Sequence, residues 1–246
     1  MKYLLVSDTH ANLEAFQAVL AAADHDRLVF LGDAVDYGPD PEAVVELLRG
    51  AAKEGGVLVR GNHDEAAAAD PESFDPSWWS ETAVATLGYT WSRLGKSDRA
   101  FLGGLPLTAA VDLGAGGRAL ACHGSPASNL EYVWPESDDG KLRNQLGPAA
   151  KTHDAVWLGH THLPFYRRVG ALNLLNPGSV GQPRDGDWRA SCAVYDADDA
   201  SLRFMRVEYD LDRTSRKLRE RGVPHADRLA AVLRSGGGAP RARGGP

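Results

Sequence analysis

Five short blocks dense in metal-ligand residues punctuate this chain, and each follows an apolar run that reads as a β-strand. They are Ser7-Asp8-Thr9-His10, Leu31-Gly32-Asp33, Gly61-Asn62-His63-Asp64, Cys122-His123-Gly124 and Gly159-His160-Thr161-His162. One such block is ordinary loop polarity. Five in order, each at a strand end, require a fold that gathers strand C-termini around one place, where two metals can be held. Five of the eight histidines fall in the blocks; His25, His153 and His225 lie outside them and read as ordinary polar residues.

The hydrophobic pattern supplies that fold. Residues 2–6, 27–31 and 57–59 read as buried strands. Between them, 13–23 and the stretch opened by Pro41 carry helical apolar stripes: Leu13, Phe16, Val19 and Leu20, then Val44, Val45, Leu47 and Leu48. Strand-helix alternation with short loops predicts a parallel sheet with right-handed crossovers. Sites in such sheets form beyond the strand C-termini, where the first three blocks lie. Residues 66–105 break the rhythm and predict a helical insertion, with Trp78, Trp79 and Trp91 read as core residues at helical spacing. Thr108 onward turns to β: a hairpin across Gly114 to Gly117, then strands at 155–158, 165–169, 171–175, 190–195 and 202–208. Terminal helices are expected at 211–221 and 226–233. The fold class is α/β: a four-layer α-β-β-α sandwich of two mixed sheets packed face to face, with flanking helices. A single domain over 1–234 and a disordered Gly/Pro/Arg-rich tail over 235–246 complete the organisation.

The formal net charge of -6 argues against broad binding to nucleic-acid polymers, which needs a basic surface. Two cysteines, Cys122 and Cys192, make no disulfide framework, so a cytoplasmic protein is expected. The apolar run at the N-terminus is too short for a signal peptide, and no stretch approaches the ~20 apolar residues of a membrane span.

Carboxylate oxygen and imidazole nitrogen without thiolate suit manganese first, then iron, nickel, cobalt or zinc. Asp8 and His10 are two apart, as are His160 and His162; on extended backbone each pair points to one side. Asp33 has two oxygens and can bridge two cations; Asn62 offers a neutral amide oxygen and His123 a nitrogen. His63, between Asn62 and Asp64, is free to address a substrate, with Asp64 expected to orient its ring and raise its pKa for general-acid work. Gly178 and Ser179 offer amides, and Arg184 a guanidinium, either to a phosphate or to a structural turn and the surface. Asn12 either reaches a phosphate or caps the helix from Leu13, with capping the stronger role. Residues 129–134, after His123, are placed to cover the site and select the leaving group.

Taken together, the blocks resemble the calcineurin-like metallophosphoesterase superfamily, whose pattern is Asp-x-His, Gly-Asp, Gly-Asn-His-Asp/Glu, a later His and Gly-His-x-His. The resemblance runs from the first strand to about Glu208 and implies two divalent ions per chain. One would take Asp8, His10, Asp33 and His162; the other Asp33, Asn62, His123 and His160. His63 corresponds to the family's substrate-contacting acid. The implied mechanism is attack on phosphorus by a hydroxide shared between ions about 3.5–4 Å apart.

The segments Gly32 to Pro41, His123 to Pro126 and Asn176 to Arg184 resemble the family's small bacterial phosphodiesterases. Tyr37 stands where protein phosphatases carry an arginine, and Asp64 where they carry glutamate. Ala11 replaces a glycine common in relatives, of consequence only if that turn needs a positive φ. The expected activity is thus hydrolysis of small phosphodiesters such as cyclic nucleotides, with a phosphomonoesterase or dinucleoside polyphosphate hydrolase as alternatives. A non-catalytic scaffold on the same fold is a different class, but this chain keeps His63 and every ligand. Substrate, metal and oligomeric state are not fixed by the sequence.

Overall fold

The computed structural model describes residues 1–237. The chain opens as its hydrophobic periodicity predicts, through β1 (Lys2–Val6), α1 (Leu13–Ala22), β2 (Arg27–Phe30), α2 (Pro41–Lys53) and β3 (Val57–Leu58). The three strands pair in parallel. Asn12 caps α1 by accepting from the Ala15 amide, and Pro41 opens α2 with its pre-set φ.

Three helices follow: α3 (Asn62–Ala68), α4 (Glu81–Arg93) and α5 (Lys96–Gly104). The last two form the predicted insertion, and Leu87 and Leu102 enter the same core as Val44 and Leu48 of α2. The tryptophans meet the core expectation in part: Trp79 and Trp91, half-buried, pack against that core, and Trp78 does not. Trp78 and Trp79 lie in the turn before α4, and Trp78 is 92% exposed. Only Trp91 packs as a helix residue, edge-on to Phe74.

The second half begins with the hairpin β4 (Thr108–Asp112) and β5 (Arg118–Cys122). Two helices the sequence did not announce come next, α6 (Asp139–Leu146) and α7 (Ala149–Thr152). Then come β6 (Ala155–Trp157), β7 (Pro164–Val169), β8 (Leu172–Pro177), β9 (Ala190–Asp196) and β10 (Ser201–Val207), closed by α8 (Leu211–Glu220) and α9 (Ala226–Ser235). Ser235, where the predicted tail begins, closes α9 instead; the tail over 238–246 lies outside the described residues.

Two five-stranded mixed sheets result, ordered β10-β9-β1-β2-β3 and β4-β5-β6-β8-β7. Side chains alternate across β1, so Tyr3 and Leu5 face the second sheet while Leu4 and Val6 face helices. Val29 and Leu31 join Tyr3 and Leu5 against Ala119, Ala121, Trp157 and Leu175 between the sheets. The outer face of the first sheet packs on Phe16, Val44, Leu218 and Leu229 from the helices. On the second sheet, Leu142 and Leu146 of α6 cover Val156 and Leu174. These are the four predicted layers. Among the described residues no helix is long and apolar enough to cross a membrane.

Candidate metal centre

The loops leaving β1, β2, β5 and β6, together with the start of α3, meet over the joined strand ends. Backbone bonds lace them together: the Asp8 amide donates to Gly32 O, His10 to Asp33 O, and Gly159 to His123 O. Close approach explains two of the glycines. A Cβ at Gly61 would fall on the Asp33 carboxylate, and one at Gly159 on the Ser7 hydroxyl.

The ligand pairs do not converge by extended alternation, as the sequence spacing implied. Asp8, His10, Asp33, His160 and His162 all have left-handed backbone, with φ of 52°, 42°, 60°, 65° and 60°. Such conformations cost on the order of 1–3 kcal/mol each and persist only where surrounding structure imposes them. Here the imposed turn aims each side chain inward. Ala11 also has positive φ, at 52°, so the turn does require the conformation that glycine adopts most easily.

Two ligand groups form. Asp8, His10 and His162 make one; Asp33, His123 and His160 make the other. Asn62 Oδ1 joins the second at 3.1 Å from His123 Nε2. Asp33 Oδ2 lies between the groups, 3.1 Å from His123 Nε2 and 3.9 Å from His10 Nε2. Its other oxygen accepts the His63 amide at 2.9 Å, which fixes the carboxylate.

The donors fit cations. His10, His123 and His162 each give Nδ1–H to a main-chain carbonyl, of Val35, Leu31 and Gln182 respectively. Their Nε2 lone pairs therefore point inward. Two of these, on His10 and His162, face each other at 3.2 Å, which repels unless a positive charge lies beside them. Asp8 Oδ2 accepts the His160 amide, whereas Asp8 Oδ1 is buried with no hydrogen-bond partner among the described residues. A buried carboxylate oxygen left bare is costly unless a cation satisfies it.

The electrostatics agree. Burial holds His10 and His162 below the ordinary imidazole range and takes His160 to about 3, so they stay neutral ligands. Burial acts on His123 too, but the Asp33 charge outweighs it and raises that ring to about 9, marking a place that calls for positive charge. Burial opposes ionisation of Asp33, yet the neighbouring imidazoles, His123 foremost, hold it below the usual carboxylate range.

His63 stands at the first turn of α3, not in a loop. Asp64 does not orient it: that carboxylate accepts the amides of Asp33, Ala34 and Gly61, at 2.8, 2.8 and 3.0 Å. Burial and the Asp33 charge raise Asp64 to about 6 against those amides. An acidic residue at the third helical position competes for free backbone donors, and here the donors win. The partner of His63 is Asp36, buried and missed by sequence reasoning, whose Oδ2 is 2.7 Å from His63 Nδ1. Its trace was present as a second carboxylate three residues after Asp33. Burial disfavours protonation of His63, but Asp33 and the Asp36 hydrogen bond outweigh it and raise its pKa. Trp79 stands edge-on to the same ring at 4.7 Å.

The phosphate-binding expectations fare unevenly. Asn12 caps α1, receives Thr214 Oγ1, and spends its amide on Gly181 O and Tyr209 Oη, so it has nothing left for a substrate. Gly178 N–H donates to Asn176 Oδ1, and the Ser179 hydroxyl donates to Asp8 O and accepts from Gln182 N–H. These are bonds of a structural turn that buttresses Asp8. Arg184 is half-buried and donates to Gln182 Oε1 at 3.3 Å, the residue whose carbonyl anchors His162.

Residues 1–200 match the calcineurin-like phosphoesterase superfamily domain. An uncharacterized protein of Methanocaldococcus jannaschii is 30% identical over 240 residues, 89% of this chain and 93% of its own length. Phosphodiesterase YfcE of Escherichia coli is 28% identical over 215 residues, 82% of this chain and 91% of that protein. A crystal structure of a metallophosphoesterase from Sphaerobacter thermophilus superposes with a TM-score of 0.81 at 32% identity, covering 96% of this chain and 99% of that one.

Proposed function

Because the chain belongs to the calcineurin-like phosphoesterase superfamily, we propose that it is a two-metal phosphodiesterase of small, nucleotide-derived diesters, with His63 as general acid. The family is one of phosphoester hydrolases. Preference for a diester draws on similarity to YfcE, a phosphodiesterase. The observation that carries the two-metal reading is Asp33 Oδ2, poised between two histidine groups beside the bare Asp8 Oδ1.

Asp8, His10, Asp33 and His162 would hold one divalent ion, and Asp33, Asn62, His123 and His160 the other. When bound, such a pair supplies charge neutralisation for a phosphoryl group and activates water near neutral pH. The protein's own groups do the rest. Asp36 holds His63 Nδ1–H and favours the imidazolium, leaving Nε2–H as the free donor to a departing alkoxide. Arg184 adds a cation on the His162 side, suited to a phosphate oxygen. Asp64, through three backbone amides, keeps the Asp33 loop and the start of α3 together.

The test is a panel of phosphomonoesters, diesters and cyclic nucleotides, assayed with several divalent metals on wild type, Asp33→Ala and His63→Ala. Metal-dependent turnover of diesters above monoesters, lost in Asp33→Ala, is expected. Faster turnover of monoesters would replace the diester assignment, and inertness of the metal-loaded wild type toward every ester would remove the catalytic one.

A further inference from the structure

Three of the four histidines in the ligand groups are anchored alike, by Nδ1–H to a carbonyl of a buried loop. His160 is the exception. Its Nε2 lies 3.2 Å from the carbonyl oxygen of Leu130. A carbonyl only accepts, so Nε2 carries the hydrogen and Nδ1 keeps the lone pair, the reverse of the other three rings. The face of His160 is covered by Tyr132, with ring centroids 3.9 Å apart and planes 24° from parallel. Tyr132 is stacked in turn on Trp134, at 5.0 Å and 7°.

This anchor stands on the surface. Leu130 is 61% exposed and Tyr132 39%, whereas His10, His123 and His162 are all but fully buried. The loop is tied down from outside the sheets: Gln145 of α6 donates to Tyr132 O, and Asn129 donates to Glu65 Oε2 of α3.

Resting on the two-metal reading above, we infer that Tyr132, with the Leu130 carbonyl, is a positioning residue for His160, and that the loop over 129–134 sets the affinity of the second cation site alone. The first site is set by buried loops at the strand ends. Contacts that orient a metal-bound histidine are typically worth about 10–100-fold in metal affinity, and the Tyr132 stack has that role for His160.

Calorimetric titration of chelator-stripped protein with manganese(II) tests this, with the electron paramagnetic resonance signal of a spin-coupled manganese pair as a second readout. Wild type should take up two ions, and His160→Ala identifies which event belongs to the second site. Tyr132→Ala should weaken that event by about 10–100-fold, leave the other unchanged, and replace the coupled signal by that of an isolated ion at equal loading. Tyr132→Phe, which keeps the ring, should restore both readouts. Wild-type titration by Tyr132→Ala, or equal weakening of both events, overturns the inference. Fewer than two ions on wild type would instead remove the two-metal reading on which it stands.

Discussion

The side chains of the metal centre are held in two ways. His10, His123 and His162 hang on main-chain carbonyls in buried loops at the strand ends. His63 and His160 depend on side chains and surface segments: Asp36 and Trp79 for the first, Leu130 and Tyr132 for the second. A buried, packed loop supplies aim that is fixed before any ligand arrives. An exposed loop supplies aim that can be adjusted, and Leu130 and Tyr132 stand on the surface. The division separates groups that only hold cations from the one that would meet a leaving group and the one beneath the adjustable cover.

That contrast can be tested at decreasing scale. Asp33→Ala strikes both halves, since one oxygen lies between the groups and the other fixes the start of α3. Steady-state assays should show a loss of about 10³-fold or more. A smaller loss would mean that one ligand group suffices. His63→Ala touches only the adjustable side. It should slow diesters with alkoxide leaving groups by about 10²–10⁴-fold and nitrophenyl esters far less, because those leave without a proton. Equal losses on both would strike out the acid role.

Asp36→Asn keeps a hydrogen-bond partner for His63 but removes its charge, so a loss of about tenfold on the same poor leaving groups is expected, with unchanged manganese binding. If manganese affinity fell instead, Asp36 would belong to the fixed set. The smallest effect is on stability. Ala11→Gly relieves a left-handed alanine at the foot of the first group and should stabilise the fold by about 0.5–1 kcal/mol. In a chain of this size that is roughly 1–4 °C in Tm by thermal unfolding. No gain would mean that alanine's methyl group repays its strain by packing.

The fixed half was the more legible in the sequence. Unbroken apolar runs and stripes of helical period placed β1, α1, β2 and α2, and each ligand block fell where such a strand must end. The left-handed turns were not legible, because Asp and His, although enriched at positive φ among non-glycine residues, adopt it in only a small minority of cases. Nor was the partner of His63. Asp64 is its chain neighbour, but side chains adjacent on a helix diverge; Asp36 arrives from a different loop by tertiary packing. Trp78 misled because helical spacing was counted through a turn. The helix α6 escaped because Leu142 and Leu146 are its only buried residues, too few to make a stripe.

The carbonyls behind His10, His123 and His162 belong to the main chain of Val35, Leu31 and Gln182. Replacing any of those three residues leaves the acceptor in place, since every amino acid brings the same oxygen. This support is therefore invisible to an alanine scan and tolerant of evolutionary drift at the positions that provide it. It yields only to changes that move the backbone itself, such as a slipped strand register or an insertion just before the loop.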